Sequence, residues 1–227
     1  NCSPPERDLG VQVPLLPPMN SNSELVQKLI SEKTLKTPLI ISVFNKIDRR
    51  DFVLPEDQYR AYDDNSLPLG YGATISQPTT VAIMLEKLFE GDPSTSLGAS
   101  KILEIGTGCG YLTALLVQIV GSRGEVFSIE YVFELKELAE KNLESYDFKN
   151  INLFVGDGKF GLPDKAPFDK IISSAAAQEV PKAWKEQLKT GGRILSPVGS
   201  DLVILKKLTK GKFKEEKIYG FLFVPLQ

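Results

Sequence analysis

Glycines at alternate positions form the part of this sequence whose chemistry is easiest to interpret. The stretch KILEIGTGCGY joins an apolar run carrying Glu104 to the loop Gly106-x-Gly108-x-Gly110, and a helical pattern follows. Because glycine has no Cβ, such a loop lets the backbone approach a bound nucleotide. A second apolar run, VFSIE, ends in Glu130, where a carboxylate can accept hydrogen bonds from both ribose hydroxyls of an adenosine. This spacing predicts a nucleotide site.

The spacing and charge of the loop distinguish between kinds of nucleotide. Dinucleotide sites usually carry G-x-G-x-x-G, with the third glycine inside the helix, whereas Leu112 and Thr113 follow Tyr111 here. A carboxylate at Glu104 would repel a pyrophosphate and attract an ammonium group. S-adenosylmethionine has a cationic amino-acid end and no phosphate. The pattern therefore favours S-adenosylmethionine over a dinucleotide.

Two other short segments carry groups that could reach a ligand. Asp157 lies between two glycines after an apolar run, where a short acid could contact an adenine amino group or face solvent in a turn. Ser76 comes shortly before Pro78, at the predicted start of a helix, so Ser76 or Gln77 can cap this helix. A hydroxyl in that position could also be aimed at an anion, and the two interpretations are compatible.

The composition limits the possible chemistry. The chain has 227 residues, enough for one domain with a full core, and it contains no histidine. Ser-His-Asp catalysis, Cys-His catalysis and a histidine general base are therefore excluded. With two cysteines and no histidine, we expect no metal site.

Charge and hydropathy indicate where the protein works. A net charge of −2 gives no general attraction to nucleic acid or to a membrane surface, and no apolar run is long enough to span a bilayer. Cys2 and Cys109 do not make a disulfide framework, and a reducing compartment suits them better. We expect a cytoplasmic protein with no nucleic-acid or membrane partner.

Hydrophobic periodicity predicts the elements that hold these residues in place. Apolar residues at helical spacing begin after Ser23, and Thr37-Pro38 is typical of a second helix start. From residue 100 to 190 strands and helices alternate, and a hairpin-like end follows. This order predicts a doubly wound, mostly parallel sheet with an antiparallel C-terminal edge and extra N-terminal helices. Strands are expected at 125–130, 151–155, 168–174 and 193–198, antiparallel strands at 202–209 and 214–226, a turn at 191–192, and irregular segments at 51–71 and 91–100.

We expect one domain preceded by a tail. Residues 1–20 hold five prolines and predict a flexible or loosely draped tail. The domain covers 21–227, with a helical and substrate-side segment at 21–98 and a cofactor-binding sheet at 99–227. In such sheets ligands bind at the carboxyl ends of the strands. Four candidate contacts lie at such ends: Glu104, Glu130, Asp157 and Ser174.

Seven short motifs occur in a characteristic order along the chain. They are LPLGYGATISQP, LEIGTGCGY, GDG, APFD, QLKTGGR, PVG and FVPL. Over roughly residues 21–227 this order resembles the protein-L-isoaspartate (D-aspartate) O-methyltransferase family. The T-I-S-x-P segment ahead of the glycine loop is specific to that family among S-adenosylmethionine methyltransferases, and the other motifs are shared more widely.

The resemblance implies a fold and an activity. The fold is the Rossmann-like fold of S-adenosylmethionine-dependent methyltransferases. The activity is methyl transfer from S-adenosylmethionine to the α-carboxylate of L-isoaspartyl residues in damaged proteins and peptides, which leaves S-adenosylhomocysteine. The ester then cyclises to a succinimide that can reopen as normal aspartate, so the outcome is protein repair. We expect the enzyme to act as a monomer.

The resemblance also implies which residues do the work. Ser76 matches the active-site serine beside the acceptor carboxylate, and Val224-Pro225-Leu226 matches a segment that closes over the site. The residues expected to contact the substrate are Thr74, Ile75, Ser76, Val224 and Pro225. Glu104, the acid before the loop, is included among the residues expected to bind the cofactor. These are Gln77, Pro78, Thr79, Thr80, Glu104, Ile105, Gly106, Gly108, Gly110, Glu130, Tyr131, Asp157 and Gly158.

This chemistry suits a chain without histidine. The acceptor carboxylate is ionised at neutral pH, so it is a ready nucleophile and needs no base. What the protein must supply is positioning in a pocket poor in water. The chain departs from many relatives in carrying Cys109 where they have serine, and both side chains are small.

Three other interpretations remain open at this stage. The chain could be an S-adenosylmethionine methyltransferase with a different acceptor, although the T-I-S-Q-P segment and the lack of a substitute base argue against it. It could be a non-catalytic adaptor with the same fold; such relatives tend to carry a long C-terminal extension, and here the sequence stops at Gln227. It could bind NAD, which the glycine spacing disfavours. A binding assay that identifies the cofactor would separate this last interpretation from the rest.

Overall fold

Seven strands, six running in one direction and one in the opposite direction, form the sheet around which the protein is built. The computed structural model describes residues 19–91 and 100–227. The helices described are α1 (Asn22–Ser31), α2 (Pro38–Lys46), α3 (Pro78–Phe89), α4 (Tyr111–Val120), α5 (Phe133–Leu143) and α6 (Lys182–Gln187). The strands are β1 (Leu67–Gly70), β2 (Ala73–Ile75), β3 (Lys101–Ile105), β4 (Glu125–Glu130), β5 (Ile151–Val155), β6 (Phe168–Ser173), β7 (Leu188–Val198), β8 (Asp201–Lys207) and β9 (Phe213–Tyr219).

The order of the strands creates a crevice in the middle of the main sheet. The order is β5-β4-β3-β6-β7-β8-β9, with β8 antiparallel to both neighbours. The chain leaves β3 towards β4 on one side and returns to β6 on the other, so the order reverses between β3 and β6. At this point Ile105 pairs with both Ile129 and Ser173. Ligands of such folds bind outside the carboxyl ends of the strands at this reversal.

A helix that is apolar on all sides explains how the N-terminal helices dock. Nearly all of α4 is buried, including its first residue Tyr111. A helix with no polar face needs cover on both sides. The sheet covers one side, and α2 covers the other, where the rings of Phe44 and Tyr111 meet edge to face at 6.5 Å. The layer of N-terminal helices is therefore part of the same core.

The predicted doubly wound sheet with an antiparallel edge is confirmed. Strands β4 and β5 begin and end at the predicted residues, and β6 ends at Ser173, one residue early. The predicted tail lies outside the described residues up to residue 18, as do residues 92–99 of the predicted polar loop. In the described residues no helix is long and apolar enough to cross a membrane.

Three local predictions were wrong. The glycines at 191–192 do not form a turn ahead of the strand, because they lie inside β7, at an irregularity where its register with β6 shifts between Leu188 and Arg193. Gly192 lies so close to Asp169 O that a Cβ would approach it to 2.7 Å. The last strand stops at Tyr219 instead of continuing to Leu226. The segment at 51–71 is not irregular throughout, because it contains short 3₁₀ helices and ends in the β1–β2 hairpin.

Candidate active site

The glycine loop is folded tightly at the end of β3. All three of its glycines, Gly106, Gly108 and Gly110, have positive φ angles between 55° and 89°. This conformation is strained for residues with a Cβ, so the glycine pattern is needed for the turn itself. The backbone N–H of Gly106 donates to Ile129 O at 2.8 Å, which ties the start of the loop to β4. The loop thus lies over the crevice between β3 and β6.

Glu130 holds the loop from the end of β4. Its Oε2 accepts from the N–H of Gly108 at 2.8 Å, and its Oε1 accepts from the N–H of Val132 at 3.0 Å. Only 6% of the residue is exposed. Each carboxylate oxygen can accept more than one hydrogen bond, so both retain capacity for a ligand hydroxyl. The side chain is fixed before any ligand arrives.

A cleft, here called the main cleft, opens in front of this loop. Its walls come from the hairpin turn, the ends of β3 and β4, and the C-terminal segment: Tyr71, Gly72, Ala73, Thr74, Ile105, Gly106, Gly108, Ile129, Glu130, Tyr131, Val132, Leu135, Gly158, Ser174, Ala175, Val224, Pro225, Leu226 and Gln227. Among these described residues Glu130 carries the one charged side chain. A cleft with one carboxylate and no basic side chain suits a neutral or cationic ligand better than a pyrophosphate.

A second recess, here called the groove, lies beside the main cleft. Hydroxyl side chains form much of one wall, and the segment 220–224 forms the other: Ser66, Thr74, Ser76, Gln77, Thr79, Thr80, Ser174, Gly220, Phe221, Leu222, Phe223 and Val224. None of these residues carries a charge. Since no acid lines it, the groove does not repel a carboxylate.

A small inner pocket joins the groove and the main cleft. Thr74 and Ser174 line all three spaces, and Ser76 lines the groove and the inner pocket. Gly106 faces Ser174, because a Cβ on Gly106 would lie 3.6 Å from the Ser174 Cβ. These residues mark the junction at which a ligand in the main cleft would meet one in the groove.

The cap of helix α3 leaves the Ser76 hydroxyl free. Gln77 occupies the N-cap position, but its side chain makes no cap hydrogen bond. Asp64 takes this role from a distance, since it accepts from the Thr79 N–H at 2.9 Å and from the Thr79 hydroxyl at 2.6 Å. The interpretation of Ser76 as an N-cap is therefore wrong. Among the described residues the Ser76 hydroxyl has no hydrogen-bond partner.

Asp64 is held in its charged form. Burial alone would raise its pKa, but the hydrogen bonds from Thr79 and the ion pair with Lys28, at 3.2 Å, lower the pKa below its usual value. A charged carboxylate is a strong acceptor at a helix N-terminus. The start of α3, and with it the preceding Ser76, is thereby anchored.

Comparison with known proteins identifies the family to which this arrangement belongs. The family model of protein-L-isoaspartate(D-aspartate) O-methyltransferases matches residues 20–227. The chain belongs to this methyltransferase family. The protein-L-isoaspartate O-methyltransferase of Methanothermobacter thermautotrophicus is 36% identical over 92% of this chain and 95% of its own length. Protein-L-isoaspartate O-methyltransferase 2 of Archaeoglobus fulgidus is 41% identical over 89% and 91%.

A solved structure supports the fold. The putative protein-L-isoaspartate O-methyltransferase of Plasmodium falciparum, determined in complex with S-adenosyl-L-homocysteine, aligns with a TM-score of 0.81 over 92% of this chain and 99% of its own. The two sequences are 19% identical, so this likeness shows the fold alone. The Rossmann-like methyltransferase fold expected from the sequence is confirmed.

The residues expected in this methyltransferase site fall into distinct groups. Those expected to bind the cofactor and found in the main cleft are Ile105, Gly106, Gly108, Glu130, Tyr131 and Gly158. Those found in the groove instead are Gln77, Thr79 and Thr80. Those that line neither the main cleft, the groove nor the inner pocket are Pro78, Glu104, Gly110 and Asp157. Of the expected substrate contacts, Thr74 and Val224 line the main cleft and the groove, Pro225 lines the main cleft, and Ile75 lines the inner pocket.

Three of the residues outside these spaces support the site from behind. Gly110 packs against helix α5, because a Cβ there would lie 3.1 Å from Leu143. Asp157 accepts from the Lys159 N–H at 2.9 Å and so caps a short 3₁₀ helix. Glu104 is fully buried, and its Oε2 accepts from the Thr113 hydroxyl at 2.6 Å.

Burial changes the protonation of Glu104. It raises the pKa of this carboxyl to about 8, against the opposing effect of the hydrogen bond from Thr113. At neutral pH much of Glu104 is therefore protonated. The charge that faces the main cleft is that of Glu130, and the preference for a ligand without phosphate now rests on Glu130.

Ser174, expected at the end of a strand, lines all three spaces, and the reversal between β3 and β6 places it at their junction. Other lining residues carry no signal in the sequence. The turn Tyr71-Gly72 and the apolar segment Phe221–Phe223 join the site through contacts distant in sequence. The backbone of Ala176, for example, accepts from Leu226 and donates to Val224, both at 2.8 Å.

Proposed function

We propose that this protein transfers a methyl group from S-adenosylmethionine to the free α-carboxylate of L-isoaspartyl residues in damaged proteins and peptides. The observation that carries the proposal is the unpartnered hydroxyl of Ser76, which lies where an uncharged groove meets a cleft with a single carboxylate. Membership of the methyltransferase family supports the same conclusion. The methyl ester formed would cyclise to a succinimide, as in repair of isoaspartate.

The main cleft fits S-adenosylmethionine. When bound, this group supplies a methyl carbon made electrophilic by the adjoining sulfonium. We assign the two ribose hydroxyls to Glu130, whose oxygens are already oriented by the N–H groups of Gly108 and Val132. We assign the adenine to the space beside Tyr131 and Gly158, and the methionine end to the loop at Gly106. Glu104 lies buried behind this site, where it accepts from the Thr113 hydroxyl of α4.

The groove fits the acceptor. A carboxylate in it would meet the hydroxyls of Ser76, Thr74 and Ser174 and no acidic side chain. A neutral hydroxyl can orient a carboxylate without quenching its nucleophilicity. No proton has to leave the acceptor at neutral pH, so the lack of histidine is no obstacle.

The sulfonium of S-adenosylmethionine and the acceptor carboxylate carry opposite charges, and both charges disappear as the methyl ester forms. Residues of the chain contribute by position and by the exclusion of water. Val224 lines both the main cleft and the groove, and we assign to the segment 224–226 the role of closing the junction. The apolar side chains of Phe221–Phe223 would contact the residues that flank isoaspartate in the acceptor peptide.

The remaining expectations are part of the same proposal. We also propose that the protein acts as a monomer. Cys109 is a buried free thiol, which supports a reducing compartment such as the cytoplasm. We assign the chemistry to residues 21–227, and we expect removal of residues 1–20 to change the transfer rate by no more than about twofold.

A repair time course tests the proposal. The protein is incubated with S-adenosylmethionine and a peptide containing L-isoaspartate, and the isoaspartyl and aspartyl forms are separated chromatographically. We expect the isoaspartyl peptide to be converted progressively to the aspartyl peptide, and Ser76→Ala to slow this conversion strongly. Ser31→Ala, which alters an exposed hydroxyl at the end of α1, outside the main cleft and the groove, is the control. Unchanged isoaspartyl peptide, with a wild-type protein that binds S-adenosylhomocysteine, would contradict the proposal.

A further inference from the structure

A buried arginine lies behind the acceptor segment. Arg49 is 0% exposed and donates to three backbone carbonyls: Nη1 to Ser76 O at 2.8 Å, Nε to Ala61 O at 3.0 Å, and Nη2 to Asn65 O at 3.1 Å. Its guanidinium also lies over the ring of Tyr111, 5.4 Å from the centroid. It lines neither the main cleft, the groove nor the inner pocket.

Among residues 19–91 and 100–227, no carboxylate oxygen lies within 4.0 Å of this cation. A buried charge is costly unless dipoles or an opposite charge compensate it. Here three carbonyl dipoles and the face of an aromatic ring compensate it. Burial lowers the pKa of the guanidinium, while Tyr111, Cys109 and Asp64 act in the opposite direction. An apolar side chain in this space would leave the three carbonyls without this donor.

The three carbonyls come from two separate stretches of backbone. Ala61 and Asn65 lie in the connection between a short 3₁₀ helix and β1, and Ser76 lies between β2 and α3. The guanidinium is planar, so its donors have fixed relative directions. It therefore fixes these two stretches relative to each other. Through Tyr111, the residue after Gly110, it also contacts the start of α4 behind the glycine loop.

We propose that Arg49 is the positioning residue for Ser76. It holds the Ser76 backbone so that the hydroxyl lies at the junction of the groove and the main cleft, and its effect on methyl transfer runs through Ser76. Its kinetic consequence rests on the proposed function. Arg49 lines neither the main cleft nor the groove, and on the side of the glycine loop it contacts the Tyr111 ring, so we expect the affinity for S-adenosylhomocysteine to change little.

Another arginine in the chain provides a matched control. Arg193 also donates to backbone carbonyls, those of Lys87, Leu88 and Glu90, at the C-terminal end of α3. That end of the helix is remote from Ser76. Arg49→Lys and Arg193→Lys both keep the positive charge and lose the planar fork. Arg193 is partly exposed whereas Arg49 is buried, so the comparison controls for the lost hydrogen bonds to carbonyls, and the burial of Arg49 remains as a difference between the two sites.

Kinetics with an isoaspartyl peptide test whether Arg49 acts through Ser76. We expect Arg49→Lys to lower kcat/KM about 10- to 100-fold, while the dissociation constant of S-adenosylhomocysteine changes by less than about twofold. In a Ser76→Ala background, adding Arg49→Lys should lower kcat/KM by less than about twofold more, because the group it positions is gone. Multiplicative losses in the double variant, or an equal loss in Arg193→Lys, would overturn the proposal.

Hydrogen exchange tests the positioning independently of the acceptor. Mass spectrometry of peptides covering residues 73–77 should show exchange about tenfold faster or more in Arg49→Lys, and unchanged in Arg193→Lys. Arg49→Gln, which keeps a planar donor and loses the charge, is the second variant if lysine prevents folding. Unchanged exchange would refute the positioning role. If the wild-type protein does not methylate the isoaspartyl peptide, the proposed function fails, and the exchange result still decides the role of Arg49.

Discussion

Two glutamates at the ends of adjacent strands have acquired different properties from their surroundings. Glu130 accepts two backbone hydrogen bonds at the edge of the main cleft. Glu104 is fully buried one strand away, where its Oε1 has no partner among the described residues. The first is placed to bind a ligand. The second is largely protonated near pH 7, and its hydrogen bond with Thr113 joins β3 to α4.

Removal of the Glu130 carboxylate should weaken cofactor binding. We expect Glu130→Ala to cost roughly 1.5–3 kcal/mol of binding free energy for S-adenosylhomocysteine, the range for a lost hydrogen bond to a charged group. Isothermal titration calorimetry measures this. Glu134→Ala, an exposed acid in the first turn of α5, is the control and should bind as the wild type does. An unchanged dissociation constant for Glu130→Ala would exclude it as the ribose ligand.

Glu104 should make stability depend on pH. The folded state keeps a proton up to about pH 8, whereas the unfolded chain releases it near its ordinary pKa. The free energy of unfolding should therefore fall as pH rises between these two values, by up to about 1.4 kcal/mol per unit, and level off above the folded pKa. Glu104→Gln lacks this titration. Urea unfolding from pH 5 to 9 measures both proteins, and parallel profiles would contradict the raised pKa.

Among the elements, local patterns could be predicted and long-range contacts could not. The strand before the glycine loop and the strand ending in Glu130 follow from short apolar runs, so the ends of β3 and β4 were predictable. The cap of α3 was not, because Asp64 reaches Thr79 across 15 residues of sequence. In the C-terminal segment the resemblance pointed to Val224 and Pro225, but the part played by Phe221–Phe223 was not predicted. The backbone hydrogen bonds that hold this segment to Ala176 depend on the finished sheet.

The turn after β5 depends on a close approach between elements. A Cβ on Gly158 would lie 2.4 Å from Ile105 Cγ2, whereas one on Gly156 would meet only Ile129, at 3.9 Å. We expect Gly158→Ala to cost about 1–3 kcal/mol of stability, as overpacking does, and to weaken cofactor binding. Gly156→Ala should stay within about 0.5 kcal/mol of the wild type. Thermal unfolding and calorimetry compare the pair, and equal behaviour would argue against this close contact.

At the scale of the whole molecule, ligand binding and folding should be linked. The main cleft draws its walls from the hairpin, both central strands and the C-terminal segment, so it exists only in the folded chain. A ligand at 100 times its dissociation constant then adds about 2.7 kcal/mol to stability. We expect S-adenosylhomocysteine to raise the melting temperature and NAD at the same concentration to leave it unchanged. A rise with NAD alone would favour a dinucleotide site.

The central claim is that the acceptor is the α-carboxylate of isoaspartate. The most direct test is methyl transfer from labelled S-adenosylmethionine to two peptides that differ only in having L-isoaspartate or normal aspartate at one position. We predict base-labile label on the isoaspartyl peptide and none on the aspartyl peptide. Cofactor binding without transfer to either peptide, or equal transfer to both, would contradict the account.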